Sequence, residues 1–471
     1  MYPENENNRS LISIQSLVRR YEDRLQQGNP EYFSEQTYLQ LLEYFEAERL
    51  YTKALEAAGQ AITHHPFSIN LFLKKAQLLI DAGQAGNALS VIEQAQGLAP
   101  GEIEVQLLRA EAFIAIGKEE EGLRLLEFLK EAASEQELSS ILLVEALAYE
   151  RGEAHERMFY TLKQALEHDP QNEGAIERLG VCALQCRKFE ESIRLHEAIL
   201  SKDAYQSIAW YNLAQAYLHV NQYELAIEAY EFAFTIDEGF CLAYRECADL
   251  CLELQQFNKA LNCYLELLEQ EGGHADSDLY IQIGACHLRL DHPQTAITFY
   301  IRAAQLDPLN DEIFFSIGEC YAAIGEWMNA VQHFEKAIEI EEEREEYFAA
   351  LGEAYFNLGN ADMAIDHLET AVGLNEIEAR YWIMLATFMI DSGRGDAALE
   401  ILEEGMQAAP SAEITYCRIA CLFATGNRSA ALYWLSEALA EDYDMHTTLF
   451  ELLPGLRYDQ SVQSMINNFA L

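Results

Sequence analysis

The sequence predicts an all-α fold in which about twelve helix pairs stack on one another as a solenoid. Apolar residues recur with helical spacing for about four turns, stop at a Gly or Asn, and then resume for a second helix. This two-helix pattern repeats, since residues 317–338 and 351–372 align without a gap at an offset of 34. Because one helix pair cannot bury its apolar faces alone, successive pairs are expected to stack.

Five of the nine prolines follow the same period. Each comes after an apolar helical run, and the gaps between them are 34, 70, 138 and 102 residues. These gaps equal one, two, four and three periods, with two additional residues in each of the middle gaps. We expect the additional residues in longer loops near 131–137 and 269–278, the second of which contains Gly272 and Gly273. These five prolines are Pro66, Pro100, Pro170, Pro308 and Pro410.

Small residues recur near the middle of each first helix, where they would let a neighbouring helix approach closely. A bulky residue often follows three positions later, as at Tyr321 and Tyr355, and alanines such as Ala330 and Ala364 recur in the second helix. The spacing therefore predicts a helix contact at each small residue. These residues are Ala76, Ala110, Ala146, Gly180, Ala214, Ala248, Gly284, Gly318, Gly352, Ala386 and Ala420.

These columns, at this period, resemble the tetratricopeptide repeat (TPR). The resemblance covers residues 35–443 as about twelve units, and it is clearest in residues 207–240, 277–376 and 379–410. It implies that the pairs coil into a right-handed superhelix whose first helices line a concave groove. Such an array is expected to bind another protein rather than to catalyse a reaction.

Two terminal segments flank the repeat array. Residues 1–34 are expected to form a polar tail followed by a capping helix, and residues 444–471 are expected to form capping helices. Both caps would cover an apolar end that the array would otherwise expose.

The composition limits the partners. With 31 basic and 78 acidic residues the formal charge is −47, so binding to nucleic acid or to an anionic membrane surface is not expected. The N-terminus lacks the pattern of a secretory signal, and the most apolar run, 381–390, is about half as long as a membrane span, so we expect a cytoplasmic protein. Cysteines such as Cys286 and Cys320 occupy a column of small residues and are expected to pack in the core, with no metal or cofactor bound.

The sequence contains no phosphate-binding loop, dinucleotide fingerprint, zinc-protease motif or serine-hydrolase elbow. His333 and His367 recur one period apart, which indicates a repeat position that accepts histidine. A stack of repeats also seldom brings side chains from several units into one catalytic cluster. We therefore predict a protein that is not an enzyme.

Carried onto this chain, the resemblance assigns a set of first-helix side chains to the groove. Most of the charged ones are acidic, so a basic or mixed-polarity peptide or helix of a partner protein is the expected ligand. The predicted groove residues are Glu43, Glu46, Gln77, Glu111, Glu150, Arg178, Tyr211, Asn212, Gln215, His219, Arg245, Asp249, Glu253, Phe315, Glu319, Glu353 and Asn357.

Three alternatives stay open at this point. A co-chaperone-like clamp would hold a C-terminal carboxylate with Arg178, Asn212 and Arg245. A subunit of an enzyme or secretion assembly would be held through its convex face or its ends. A small-molecule or metal regulator would need a polar pocket, for which Cys417 and Cys421 are the only indication.

Overall fold

A computed structural model describes residues 14, 16–23, 32–272 and 275–469. Throughout these described residues the regular structure is helical, with no strand. The chain divides into two compact units, Met1–Ala243 and Tyr244–Leu471. The predicted all-α solenoid of helix pairs is confirmed, because the described helices follow one another as twelve pairs and consecutive helices pack together within each unit.

In each pair the odd-numbered helix is the first helix and the even-numbered helix is the second. The earlier pairs are α1 (Glu35–Ala47) and α2 (Tyr51–His64), α3 (Ile69–Asp81) and α4 (Ala85–Leu98), α5 (Ile103–Ala115) and α6 (Glu119–Lys130), α7 (Glu135–Arg151) and α8 (His155–His168), α9 (Glu173–Cys186) and α10 (Phe189–Lys202), and α11 (Ser207–His219) and α12 (Tyr223–Ile236). The later pairs are α13 (Cys241–Glu253) and α14 (Phe257–Glu271), α15 (Ser277–Arg289) and α16 (Pro293–Leu306), α17 (Asp311–Ala323) and α18 (Trp327–Ile340), α19 (Glu345–Asn357) and α20 (Ala361–Leu374), α21 (Ala379–Asp391) and α22 (Gly395–Ala408), and α23 (Ala412–Ala424) and α24 (Arg428–Glu441).

The turn inside each pair is set by a residue in the left-handed region. Gly325 and Gly359, where the sequence predicts the helix breaks, have φ of 78° and 80°. Glycine adopts this conformation without a Cβ clash, so it ends the first helix at little cost. Where the glycine is missing, residues such as Asn221 and Asp291 take the same conformation, with φ of 60°.

The small-residue column is a line of close helix contacts, as the spacing predicts. A Cβ added at Gly318 would lie 2.5 Å from the Phe334 ring, and one added at Gly284 would lie 2.9 Å from Tyr300. Both aromatic rings belong to the second helix of the same pair. Cys286 and Cys320 are fully buried in this core, which confirms their expected packing role.

The residues after α24 form short helices that pack on the last pair. They are the 3₁₀ helices Asp444–His446 and Pro454–Tyr458, together with α25 (Thr447–Leu452) and α26 (Gln460–Phe469). Leu449 and Val462 are fully buried against Tyr416 and other residues of the last pair. These contacts cover apolar surface at this end of the second unit.

Most of the predicted N-terminal tail and cap lies outside the described residues. Residues 16–23 are helical, and Val18 and Tyr21 are buried beside Phe33 and Tyr38. Among the described helices none has both the length and the apolar character needed to cross a membrane.

Candidate functional site

The candidate site is the surface formed by first-helix side chains, which we call the first-helix face and describe separately for each unit. In the first unit, predicted groove residues from successive first helices meet in a polar network. Gln77 donates hydrogen bonds to Asp81 (3.1 Å) and to Glu111 of the next first helix (3.2 Å). Glu46, on the preceding first helix, forms an ion pair with Lys74, in which Oε2 and Nζ lie 2.5 Å apart.

Asp81 is exposed and Glu111 is half-buried, and protein atoms surround both carboxyl groups in part. Burial raises the pKa of both carboxyl groups, although the hydrogen bonds from Gln77 oppose the shift. Each carboxylate also interacts electrostatically with Arg178, which lies on α9 and forms an ion pair with Glu150 at 2.8 Å. Asp81 and Arg178 belong to first helices three repeats apart in the chain.

A cavity of about 390 Å³ opens beside this network. Its floor is aliphatic, with Leu39, Leu73 and Leu107 contributed by three successive first helices. Its polar lining comes from two side-chain amides, one lysine and two glutamates. These residues are Asn70, Gln77, Lys74, Glu104 and Glu111.

Tyr211 and Gln215 form a second cluster on the face of the first unit. The Gln215 amide donates to the Tyr211 hydroxyl at 3.2 Å and to the Tyr230 hydroxyl at 2.8 Å. The Tyr211 ring lies 5.1 Å from the Phe240 ring. These contacts fix Tyr211 as a half-buried aromatic surface.

Of the predicted groove residues on α11, Asn212 is buried and His219 is exposed. Asn212 is only 6% exposed, and its amide donates to the Ile176 carbonyl of the preceding first helix at 2.8 Å. Its side chain occupies space that is open because Gly180 has no Cβ. The exposed His219 ring stacks on Phe189 at 4.7 Å. Asn212 therefore joins two repeats and is not presented to a ligand.

In the second unit, two predicted residues have partners in the neighbouring helices. Arg245 faces three carboxylates, at 3.3 Å from Glu271, 3.5 Å from Asp276 and 3.7 Å from Asp278. Asp249 accepts a hydrogen bond from the Tyr264 hydroxyl at 2.5 Å. The positive charge of Arg245 is thus balanced by three carboxylates of the protein itself.

The remaining predicted residues of the second unit leave an acidic and aromatic surface. Phe315 stacks against Tyr347 at 4.6 Å, while Glu253, Glu319 and Glu353 are exposed. Glu319 is accessible to solvent, yet the surrounding protein removes enough water to raise the pKa of its carboxyl group. The exposed Asn357 side-chain amide donates a hydrogen bond to the backbone carbonyl of Glu353 at 2.9 Å. In the first unit, the predicted groove residue Glu43 on α1 is exposed as well.

Sequence reasoning missed Asp81 and the leucines of the cavity floor. Asp81 follows Gln77 by four residues, as Asn357 follows Glu353, so the repeat column could have identified it. Leu39, Leu73 and Leu107 are spaced by 34 residues, but a leucine at helical spacing is first interpreted as core. Their half-burial in a cavity is visible only in three dimensions.

The remaining candidates for chemistry are structural. His333 and His367 stack on Tyr321 and Tyr355 at 5.4 Å in both repeats. Cys417 and Cys421 are fully buried, and burial raises the pKa of the Cys417 thiol to about 12. Within the described part of the chain, no three His, Cys, Asp or Glu side chains are arranged to hold a metal ion.

Comparison with known proteins agrees with this architecture. Models of the tetratricopeptide repeat family match residues 207–240 and 345–377. No curated protein sequence matches the chain.

Several solved structures are similar to parts of the chain. YrrB, described as a TPR protein with an unusual peptide-binding site, is 22% identical over 38% of this chain and 92% of its own, with a TM-score of 0.34. The Cut9–Hcn1 hetero-tetramer structure is 14% identical over 83% and 97%, with a TM-score of 0.35. The C-terminal part of a TPR repeat-containing protein from Cytophaga hutchinsonii is 16% identical over 54% and 98%, with a TM-score of 0.42.

The two repeats matched by family models lie on helix pairs of the array, α11 with α12 and α19 with α20. The same two-helix unit recurs along the described residues with the predicted small-residue contacts. The chain therefore carries tetratricopeptide repeats at residues 207–240 and 345–377, within an array of similar helix pairs.

Proposed function

We propose that this chain is a non-catalytic scaffold or adaptor that holds a segment of another protein on its first-helix face. Its tandem repeats support a role in protein–protein interaction. The observation that carries the finer proposal is the set of acidic side chains on that face, of which Glu43, Glu104 and Glu353 are exposed. Asp81 and Glu111 in the first unit and Glu319 in the second all have a carboxyl pKa raised by burial.

A basic or mixed-polarity segment fits this face. A carboxylate that has lost water is unstable as an anion, and a cationic side chain placed next to it restores the lost stabilisation. The formal charge of −47 adds long-range attraction toward a basic partner and repulsion from nucleic acid and anionic membranes. We propose that this binding takes place in the cytoplasm and that residues 35–443 form the binding array, with capping segments on either side.

The carboxylate clamp is not part of the proposal. Arg178 is paired with Glu150, Asn212 is bonded to Ile176, and Arg245 is surrounded by acids. A terminal carboxylate would have to displace these partners or approach against like charge. An assembly subunit held through its second helices or its ends is the remaining alternative, and the experiment below separates it from binding on the first helices.

The test uses the full chain and random peptides of about 16 residues displayed on phage. Peptides selected on the wild-type protein are synthesised, and their Kd values are measured by fluorescence anisotropy. One variant reverses four exposed first-helix acids: Glu43→Lys, Glu104→Lys, Glu319→Lys and Glu353→Lys.

The matched control reverses four exposed second-helix acids, so the two variants have the same net charge. Its substitutions are Glu93→Lys, Glu167→Lys, Glu266→Lys and Glu369→Lys. We expect the first-helix variant to weaken binding by about tenfold or more and the control by less than about threefold. Equal losses from both variants would refute the proposal, and a larger loss from the control would favour attachment through the second helices.

A further inference from the structure

The aliphatic floor of the cavity in the first unit is a repeated feature. Leu39, Leu73 and Leu107 occupy the same position in three successive first helices and together line the cavity; we call these three residues the leucine row. All three are half-buried, so each packs on its own repeat and still presents methyl groups to the opening. Single exposed leucines are ordinary on protein surfaces, whereas a row that lines one cavity forms an aliphatic groove with room for a ligand.

Acidic and amide groups run alongside the leucine row. Gln77 follows Leu73 by four residues and Glu111 follows Leu107 by four, so this second row lies one helical turn further along the same helices, about 6 Å away. Glu104 lines the cavity as well. An occupant must therefore satisfy an aliphatic strip and, beside it, the Gln77 amide and the carboxylates of Glu104 and Glu111.

We infer that the occupant is an amphipathic helix of the partner, with aliphatic side chains seven residues apart and a Lys or Arg one turn away. This inference rests on the proposed function and specifies which segment the first unit takes. First helices of successive repeats are in contact here, so their axes are about 8–10 Å apart. Seven residues of α-helix rise about 10.5 Å, which matches that step.

A β-strand occupant fits the same groove poorly. Side chains of a strand alternate between opposite faces, and residues on one face repeat about every 6.6 Å, which does not match the step between first helices. A helix presents an apolar stripe about 100° wide together with flanking positions. It can therefore place leucines on the leucine row while its basic groups reach Glu104 and Glu111.

The probe is a synthetic helical peptide of about 21 residues with three leucines seven residues apart and lysines one turn from each. A second peptide has the same composition, but its leucines are dispersed over different helix faces. Binding to the full chain is measured by fluorescence anisotropy. We expect the patterned peptide to bind at least about tenfold more tightly, the difference that burial of one leucine side chain can supply.

The protein variants locate the binding. Asn70→Trp places a large ring at an exposed position in the cavity lining, and Asn87→Trp places the same ring on the exposed surface of the second helix of that pair. We expect Asn70→Trp to weaken the patterned peptide by about tenfold and Asn87→Trp to leave it unchanged. Circular dichroism of both variants checks that the fold is intact.

Two results would overturn the inference: equal binding of the two peptides, or no difference between Asn70→Trp and Asn87→Trp. Either result leaves the proposed function standing if phage-selected peptides still lose affinity only in the first-helix charge variant. If those selected peptides respond equally to both charge variants, the proposed function fails as well. A selected consensus with anchors three residues apart would also contradict a helical occupant.

Discussion

Adding one methyl group at Gly318 tests the packing that holds each helix pair together. The Cβ of an alanine there would lie 2.5 Å from both Cδ1 and Cε1 of Phe334, which is closer than carbon atoms can approach. Phe334 cannot move freely, because it is 2% exposed and packs among Ala330, Leu351 and other residues of its core cluster. The substitution Gly318→Ala therefore forces α17 and α18 apart or strains the ring.

The expected magnitude follows from two opposed effects. Overpacking of a core costs about 1–3 kcal/mol in the free energy of unfolding. Replacing a helical glycine by alanine returns about 1 kcal/mol. Gly59 is also inside a helix, but a Cβ there would meet nothing within 4 Å, so Gly59→Ala supplies the propensity gain alone. The two variants should differ by about 1–3 kcal/mol, with Gly318→Ala the less stable.

The assay is urea unfolding of the full chain, combined with hydrogen exchange of peptides from residues 311–340 to detect local opening of this repeat. Phe334→Leu should partly rescue Gly318→Ala, with a coupling energy of at least about 0.5 kcal/mol in the double-mutant cycle. If Gly318→Ala is as stabilising as Gly59→Ala, the close contact does not exist and the explanation of the small-residue column is wrong.

Two further predictions concern the first unit. His196 is fully buried, and burial lowers its pKa to about 4. Its neutral form therefore stabilises the fold above about pH 6.5. As the pH falls toward 4, up to about 3 kcal/mol of the free energy of unfolding is lost. Urea unfolding of His196→Leu should lack this component of the pH dependence, and an unchanged profile would contradict the assignment. Ser134 and Glu137 form a capping box at the start of α7, so Ser134→Ala should lower the free energy of unfolding by about 1 kcal/mol while Ser134→Asp should retain most of it. Equal unfolding midpoints for Ser134→Ala and the wild type would show that the cap contributes nothing.

The helix pairs were predictable because the same packing contacts, with the same residue types, recur in each repeat. A single glycine would say little, but Gly284, Gly318 and Gly352 in one column, each opposite a bulky second-helix side chain, identify a contact that recurs. Local sequence identifies the turn where a glycine occupies it, as at Gly325 and Gly359, which take the left-handed conformation without a Cβ clash. In other pairs a residue such as Asn221 or Asp291 takes that conformation, and the sequence gives a weaker signal there.

The candidate site was predictable only as a set of positions. Whether a side chain on the first helices is free depends on residues a full repeat away, which helical periodicity does not reveal. Asn212 is buried because Gly180, 32 residues earlier, leaves room for it. Likewise Glu46 is paired because Lys74 stands on the next first helix, whereas Glu43 on the same helix is exposed.

The most direct test of the central claim locates a bound peptide on the protein. A photo-crosslinking amino acid is placed at the exposed positions Glu104 and Glu353 on first helices and, in separate proteins, at Glu93 and Glu369 on second helices. Each protein is irradiated with a biotinylated peptide selected on the wild type. Binding on the first-helix face predicts crosslinks from at least one of the first-helix positions and none from the second-helix positions. Crosslinks from the second-helix positions alone would contradict it.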